Sequence, residues 1–203
     1  MEEPAITQKQ TAREDFHAFR QRLLDAGYRE KDVTFSAGRA TGLGLVCALP
    51  FAALLLVVYR LALVHRAHLI DISGVSFYIA LVLILALSVF AHELLHGLGW
   101  AVSSGRGWKA VRFNVSALMP SCACTVPLRR GQYLLGALLP FCILGGGSAL
   151  FLAVYPGTFS VVAMLVNFIA AGGDLLIAFH VMREKGALIA DHPTAAGYIA
   201  FCR

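Results

Sequence analysis

Apolar positions in this chain run in four unbroken blocks. The first is free of charge from Ala40 to Tyr59 and continues past Arg60 to Val64. The second runs from Val75 to Trp100, the third from Tyr133 to Tyr155 and the fourth from Phe159 to Met182, with Pro156-Gly157 as a turn between the last two. A bilayer crossing needs about 20 mostly apolar residues at 1.5 Å each, so each block predicts one transmembrane helix, over about 40–64, 75–100, 133–155 and 159–182. Helical periodicity with a polar face occurs ahead of the first block, over Thr11–Ala26. Phe16, Phe19, Leu23 and Leu24 share a face, Thr11 and Glu14 have capping-box spacing, and Gly27 is a natural stop. That segment is expected to lie on the membrane surface or against the bundle. Between the second and third blocks, Ala110–Val115 and Ser121–Val126 read as a short β-hairpin. The predicted fold is therefore an all-α polytopic membrane protein with four transmembrane helices. It divides into an N-terminal segment (1–39), a four-span domain (40–182) and a tail (183–203).

Composition agrees: 58% of the 203 residues are hydrophobic and 14% charged, against about 25% charged in a soluble domain. That excludes a soluble globule, a disordered chain and a secreted disulfide scaffold. Fifteen Lys and Arg fall in the 1–39, 104–131 and 183–203 segments and two in the 60–74 loop, which predicts that both termini and the 104–131 segment are cytosolic. The first 39 residues lack an apolar h-region, so no cleavable signal peptide is expected. Cys47 and Cys142 lie within spans and Cys202 in the tail. Cys122 and Cys124 are too close for an unstrained disulfide and face a reducing compartment; packing, metal and redox roles stay open for them. The net charge of +5 follows from the cytosolic bias and calls for no nucleic acid partner.

Charge is so scarce within the spans that its exceptions stand out. Glu93 is the one charge from Ile72 to Gly105, and Asp174 the one charge from Gly131 to Met182. An ionisable residue at membrane depth is costly and marks a functional site by default. Glu93 belongs to His92-Glu93-Leu94-Leu95-His96, an H-E-x-x-H motif. The i, i+4 spacing puts both imidazoles on one face, able to bind one Zn²⁺, and Glu93 is rotated toward a metal-bound water. Asp174 and His96 fall at about the same depth, roughly 10–12 Å from the cytosolic end of parallel helices, which offers Asp174 as a third ligand. A pairing of Asp174 with His180 or a backbone donor is the structural alternative. Gly97, Gly99, Gly172 and Gly173 would let helices approach closely. Asn167, two turns before Asp174, could bind a substrate backbone or an oxyanion, or make a structural hydrogen bond. His65 and His68 lie across the bilayer from this motif, and His17, His180 and His192 are isolated.

An H-E-x-x-H in one span followed by an Asp two spans later resembles the site-2 protease clan of intramembrane zinc metalloproteases. His92-Glu93-Leu94-Leu95-His96-Gly97 with a later Gly173-Asp174-Leu175 more closely resembles a small bacterial family of integral-membrane zincin peptidases. The resemblance spans about residues 75–182. It implies one zinc held by His92, His96 and Asp174, Glu93 as general base and acid, and Asn167 near the position of the clan's Asn. It also implies a multi-pass protein of the bacterial inner membrane acting on a membrane protein or peptide substrate. The clan's usual Asp-Gly order is reversed here. A catalytically silent zinc-binding scaffold or chaperone, and a metal transporter, are the competing functions. Neither needs a non-ligand carboxylate directly after the first histidine.

Overall fold

The computed structural model describes residues 16–66, 74–116, 119–193 and 195–203. The expected capping pair Thr11 and Glu14, and His68, lie outside the described residues. Residues 16–25 form helix α1 and Arg29–Phe35 strand β1. Four helices long and apolar enough to cross a membrane follow: Ala37–Leu63, Val75–Ser103, Arg130–Val154 and Thr158–Val181. Each matches one apolar block to within a few residues.

The first span is α2 (Ala37–Val58), ending in a wider π-helical turn, and the second is α3 (Val75–Ser103). The third is α4 (Arg130–Pro140) continuing through a π turn at Phe141–Gly145 into α5 (Gly146–Val154). Pro140 lacks an N–H for the regular ladder, which accounts for the local widening there. The fourth span breaks at Ala171 into α6 (Thr158–Ala170) and α7 (Gly172–Val181).

Glycine sets two of the helix crossings. A Cβ on Gly99 of α3 would fall 2.5 Å from Gly136 Cα of α4, and one on Gly172 of α7 would fall 2.5 Å from the Gly44 carbonyl oxygen of α2. Lipid drives helix association only weakly, so such close backbone contact supplies the packing. Gly173 has no such neighbour, and Gly97 seats a hairpin rather than a helix.

The chain is mostly helical, but it is not all-α. Strands β2 (Val111–Ser116) and β3 (Met119–Cys124) form the expected hairpin, with Arg112 opposite Ala123 and Asn114 opposite Ser121. A second, four-stranded antiparallel sheet, ordered β1-β6-β5-β4, was not expected. It joins β1 from the N-terminal segment to β4 (Leu128–Arg129), β5 (Leu188–Asp191) and β6 (Ala196–Cys202), so 183–203 is a structural element rather than a loose tail. Alternation explains why the sheet forms. Tyr198, Ala200 and Ile189 face Tyr133 and Val181 of the bundle, whereas Ile199, Phe201 and Ala190 face Phe16, Phe19 and Leu23 of α1. Helix α1 therefore packs on the outer face of the sheet, with Phe19 edge-on to Phe201 at 5.7 Å between centroids.

Candidate metal centre

Helix α3 carries His92 and His96 one turn apart on the same face, near the end of the span that adjoins both sheets. Helix α7 restarts after the break at Ala171 and presents Asp174 as its third residue, where the amide dipoles of a first turn favour a carboxylate. The structure brings the three together. His92 Nε2 lies 2.9 Å from Asp174 Oδ2, and His96 Nε2 lies 3.3 Å from Asp174 Oδ1. The two Nε2 atoms are 3.1 Å apart.

The chemistry of this donor set fits a cation. His96 Nδ1 lies 2.9 Å from the Gly136 carbonyl oxygen. A carbonyl can only accept, so Nδ1 carries the proton and Nε2 of the neutral ring offers a lone pair. Asp174 Oδ2 is buried and accepts no well-formed hydrogen bond. The His96 Nε2 lone pair and the Asp174 carboxylate thus converge with His92 Nε2, and these ligand atoms all lie within 4.8 Å of one another. Zinc bound tetrahedrally at about 2.0–2.1 Å holds neighbouring ligands about 3.3 Å apart, near the spacing found. Two imidazoles and one carboxylate are donor types found in three-ligand zinc sites that keep one position open. His180 is not part of it; its Nδ1 lies 2.9 Å from the Leu176 carbonyl oxygen and its ring stacks edge-on with Phe35.

Glu93 is turned about 100° from His92 around the helix. Its carboxylate leaves the ligand cluster and lies beside the backbone of Cys122 in β3. Both border a cavity of about 580 Å³ that also exposes His92, His96 and Asp174. Helix α2 contributes Ala40 to one wall, the β2–β3 hairpin forms another, and the β5–β6 turn closes over them. The hairpin can lie this close because residue 97 is glycine: a Cβ there would fall 2.8 Å from the Phe113 ring and 3.3 Å from Cys122 Sγ.

Several supporting residues were not read from the sequence. Trp100 stacks on His96 at 5.3 Å with 13° between the planes, and its Nε1 donates to the Tyr133 carbonyl oxygen at 3.1 Å. The Tyr133 hydroxyl donates to Asp191 Oδ1 at 2.5 Å, and the Cys124 amide donates to Asp191 Oδ2 at 2.6 Å. Asp191 thus ties α4, β3 and β5 together behind the ligands. Burial pushes the Asp191 carboxyl above its ordinary range, opposed by those two donors. Trp100 was legible in principle, since it falls four residues after His96 on the same face. Asp191 and the Gly136 carbonyl had no signal in the sequence.

Asn167 is buried in α6, where its Nδ2 donates to the Ala163 carbonyl oxygen at 2.9 Å, and it is not among the residues lining the cavity. Burial and the Glu93 charge push the Cys122 thiol up, and burial with the Asp191 charge pushes Cys124 up to about 12.

No curated protein and no solved structure matches the chain. Residues 85–188, just over half of the sequence, match the family described as "Putative zincin peptidase", with all of the metal-centre residues inside the matched stretch, and the chain belongs to that family.

Proposed function

We propose that this protein is an intramembrane zinc metallopeptidase that hydrolyses peptide bonds of membrane-embedded or membrane-proximal substrates. The observation that carries the reading is the meeting of His92, His96 and Asp174 with the non-ligand Glu93 at one cavity. The bias of Lys and Arg toward 1–39, 104–131 and 183–203 supports placing that cavity at the cytosolic face of a bacterial inner membrane, with both termini cytosolic. The domain boundaries follow as one four-span catalytic unit over 40–182, with its flanking segments joined by the sheet.

His92, His96 and Asp174 would hold one zinc ion per chain, which when bound supplies Lewis-acid polarisation of the scissile carbonyl and acidifies the attacking water. Glu93 then acts as general base, taking the proton from that water, and returns it to the leaving amine as general acid. The Gly136 carbonyl holds His96 in the tautomer that points Nε2 into the site. Asn167 is given no part in this, its amide being engaged within α6.

A helical peptide bond is hidden by its own hydrogen bonds, so the substrate must be extended where it is cut. Strand β3 offers a template. Ala123 and Ser121 bond to β2, so by alternation the backbone groups of Cys122 and Cys124 point away from it. The Cys124 amide is taken by Asp191, while the edge at Cys122 borders Glu93 and the cavity. A substrate strand added along that edge would bring its carbonyls past the metal ligands.

The test compares wild type with Glu93→Gln expressed in the same membranes. Zinc content should be unchanged. Fragments released by wild type should fall by about 10²- to 10⁴-fold in the variant, the size of a lost general base. Identical fragment sets from the two proteins would overturn the peptidase reading.

A further inference from the structure

The β2–β3 hairpin has two faces. Val111, Phe113, Cys122 and Cys124 share the one that packs toward α3 and the core, whereas Arg112, Asn114, Ser121 and Ala123 share the other. All four of the latter border the same cavity as Glu93 and the metal ligands. Arg112 is half-buried there and has no ion-pair or hydrogen-bond partner among the described residues. The carboxylates that line the cavity are otherwise engaged: Asp174 with the two histidines, Asp191 with Tyr133 and Cys124, and Glu93 with the Cys122 backbone. A guanidinium offers a rigid fork of five donors that matches a carboxylate, and at a partly desolvated wall it gains by finding one.

Its register says where that carboxylate would come from. Arg112 sits directly opposite Ala123, a methyl side chain that leaves the way across β3 clear. A strand added to the edge of β3 that faces away from β2, taking the place of Glu93 at the Cys122 backbone, would lie two strand spacings from β2, about 9–10 Å. An extended arginine meeting an acidic side chain covers that distance. We propose, resting on the peptidase reading above, that Arg112 is a specificity residue that selects substrates carrying a carboxylate at the position aligned with Ala123, within a residue or two of the bond that is cut.

The test uses purified full-length protein in detergent and synthetic apolar peptides in which Asp, Glu, Lys or Gln is placed at each position in turn. Binding is read on the zinc-loaded Glu93→Gln background and cleavage on the active one. Acidic peptides should bind roughly tenfold more tightly than Gln peptides when the acid is at one particular position. Arg112→Gln should abolish that preference, and Arg112→Glu should transfer it to Lys at the same position, with zinc content unchanged in both. Amidating the peptide C-terminus separates the two carboxylate sources: a side-chain site survives amidation, whereas a chain-end site does not. If Arg112→Glu leaves the charge preference as it was, or changes only adsorption to anionic phosphatidylglycerol vesicles, the proposal fails and the peptidase reading stands. If no peptide is cut but the preference still inverts on binding, the peptidase reading fails and the role of Arg112 stands.

Discussion

Helix α3 is two different helices joined end to end. Its first part is apolar on every side and meets little protein: Val82, Leu87 and Phe90 are 64%, 67% and 67% exposed. Its last three turns bury His96, Gly97, Gly99, Trp100 and Ala101 against α4 and the hairpin. The exposed part is the greasy one and the buried part holds the polar groups, the reverse of a soluble protein. Lipid takes over the role of the apolar interior, and protein contact is kept for side chains that lipid cannot satisfy. If that division is right, substitutions should matter in proportion to their place on the polar, packed end of the bundle.

The largest effect is expected from Asp174→Asn. The side chain keeps its shape but loses the charge that balances a divalent cation. Zinc affinity should fall by more than the roughly 10–100-fold typical of changing a partner behind the ligands. Normal zinc binding in this variant would remove Asp174 from the ligand set.

Next comes Gly136→Ala, which leaves every polar group in place. The added Cβ would fall 2.2 Å from the Trp100 ring, at a cost of about 1–3 kcal/mol for overpacking. Trp100 covers His96, and the Gly136 carbonyl holds His96 Nδ1, so zinc affinity should fall about 10–100-fold as well. Gly146→Ala is the control, because a Cβ there meets nothing; it should leave zinc affinity unchanged. Equal zinc loss in both variants would mean that the crossing of α3 and α4 does not set the ligand geometry.

The four spans and the metal centre were legible because a membrane helix is written in apolarity, and Glu93 and Asp174 interrupt it where little else does. The sheet was not legible for the opposite reason. Its strands are only two to seven residues long, and β1 pairs with β6 from the far end of the chain, a contact that no local pattern records. Asp191 is placed by the β5–β6 pairing, opposite Tyr198, where it meets Tyr133 and Cys124. The three side chains that meet were thus readable, and the backing that holds them in position was not.

Asp191→Asn tests that backing at a smaller scale. An amide can keep one of the two acceptors but turns a donor toward either the Tyr133 hydroxyl or the Cys124 amide, leaving a mismatch worth about 1–3 kcal/mol. Thermal stability should drop accordingly with zinc still bound. Since Cys124 belongs to the strand proposed to align substrate, KM should rise more than kcat falls. A loss confined to kcat would instead place Asp191 in the chemistry.

The smallest effect is expected from Leu87→Ala on the exposed part of α3, and it tests the comparison from its other side. Leu152 is the matched case, 2% exposed and packed with Met164 and Phe168. Removing its side chain leaves a cavity inside the bundle and should cost about 2–5 kcal/mol. At Leu87, 67% exposed, lipid or detergent fills the space left by the truncation, so stability should move by no more than about 0.5 kcal/mol. Thermal unfolding of the two variants in the same detergent gives the ratio directly. A loss at Leu87 approaching that at Leu152 would show that this face of α3 is covered by protein rather than lipid, which for a purified single chain means a second copy. Concentration dependence of the transition would then follow, and a dimer contact on the helix that carries His92 and His96 would replace lipid as the support of its packed end.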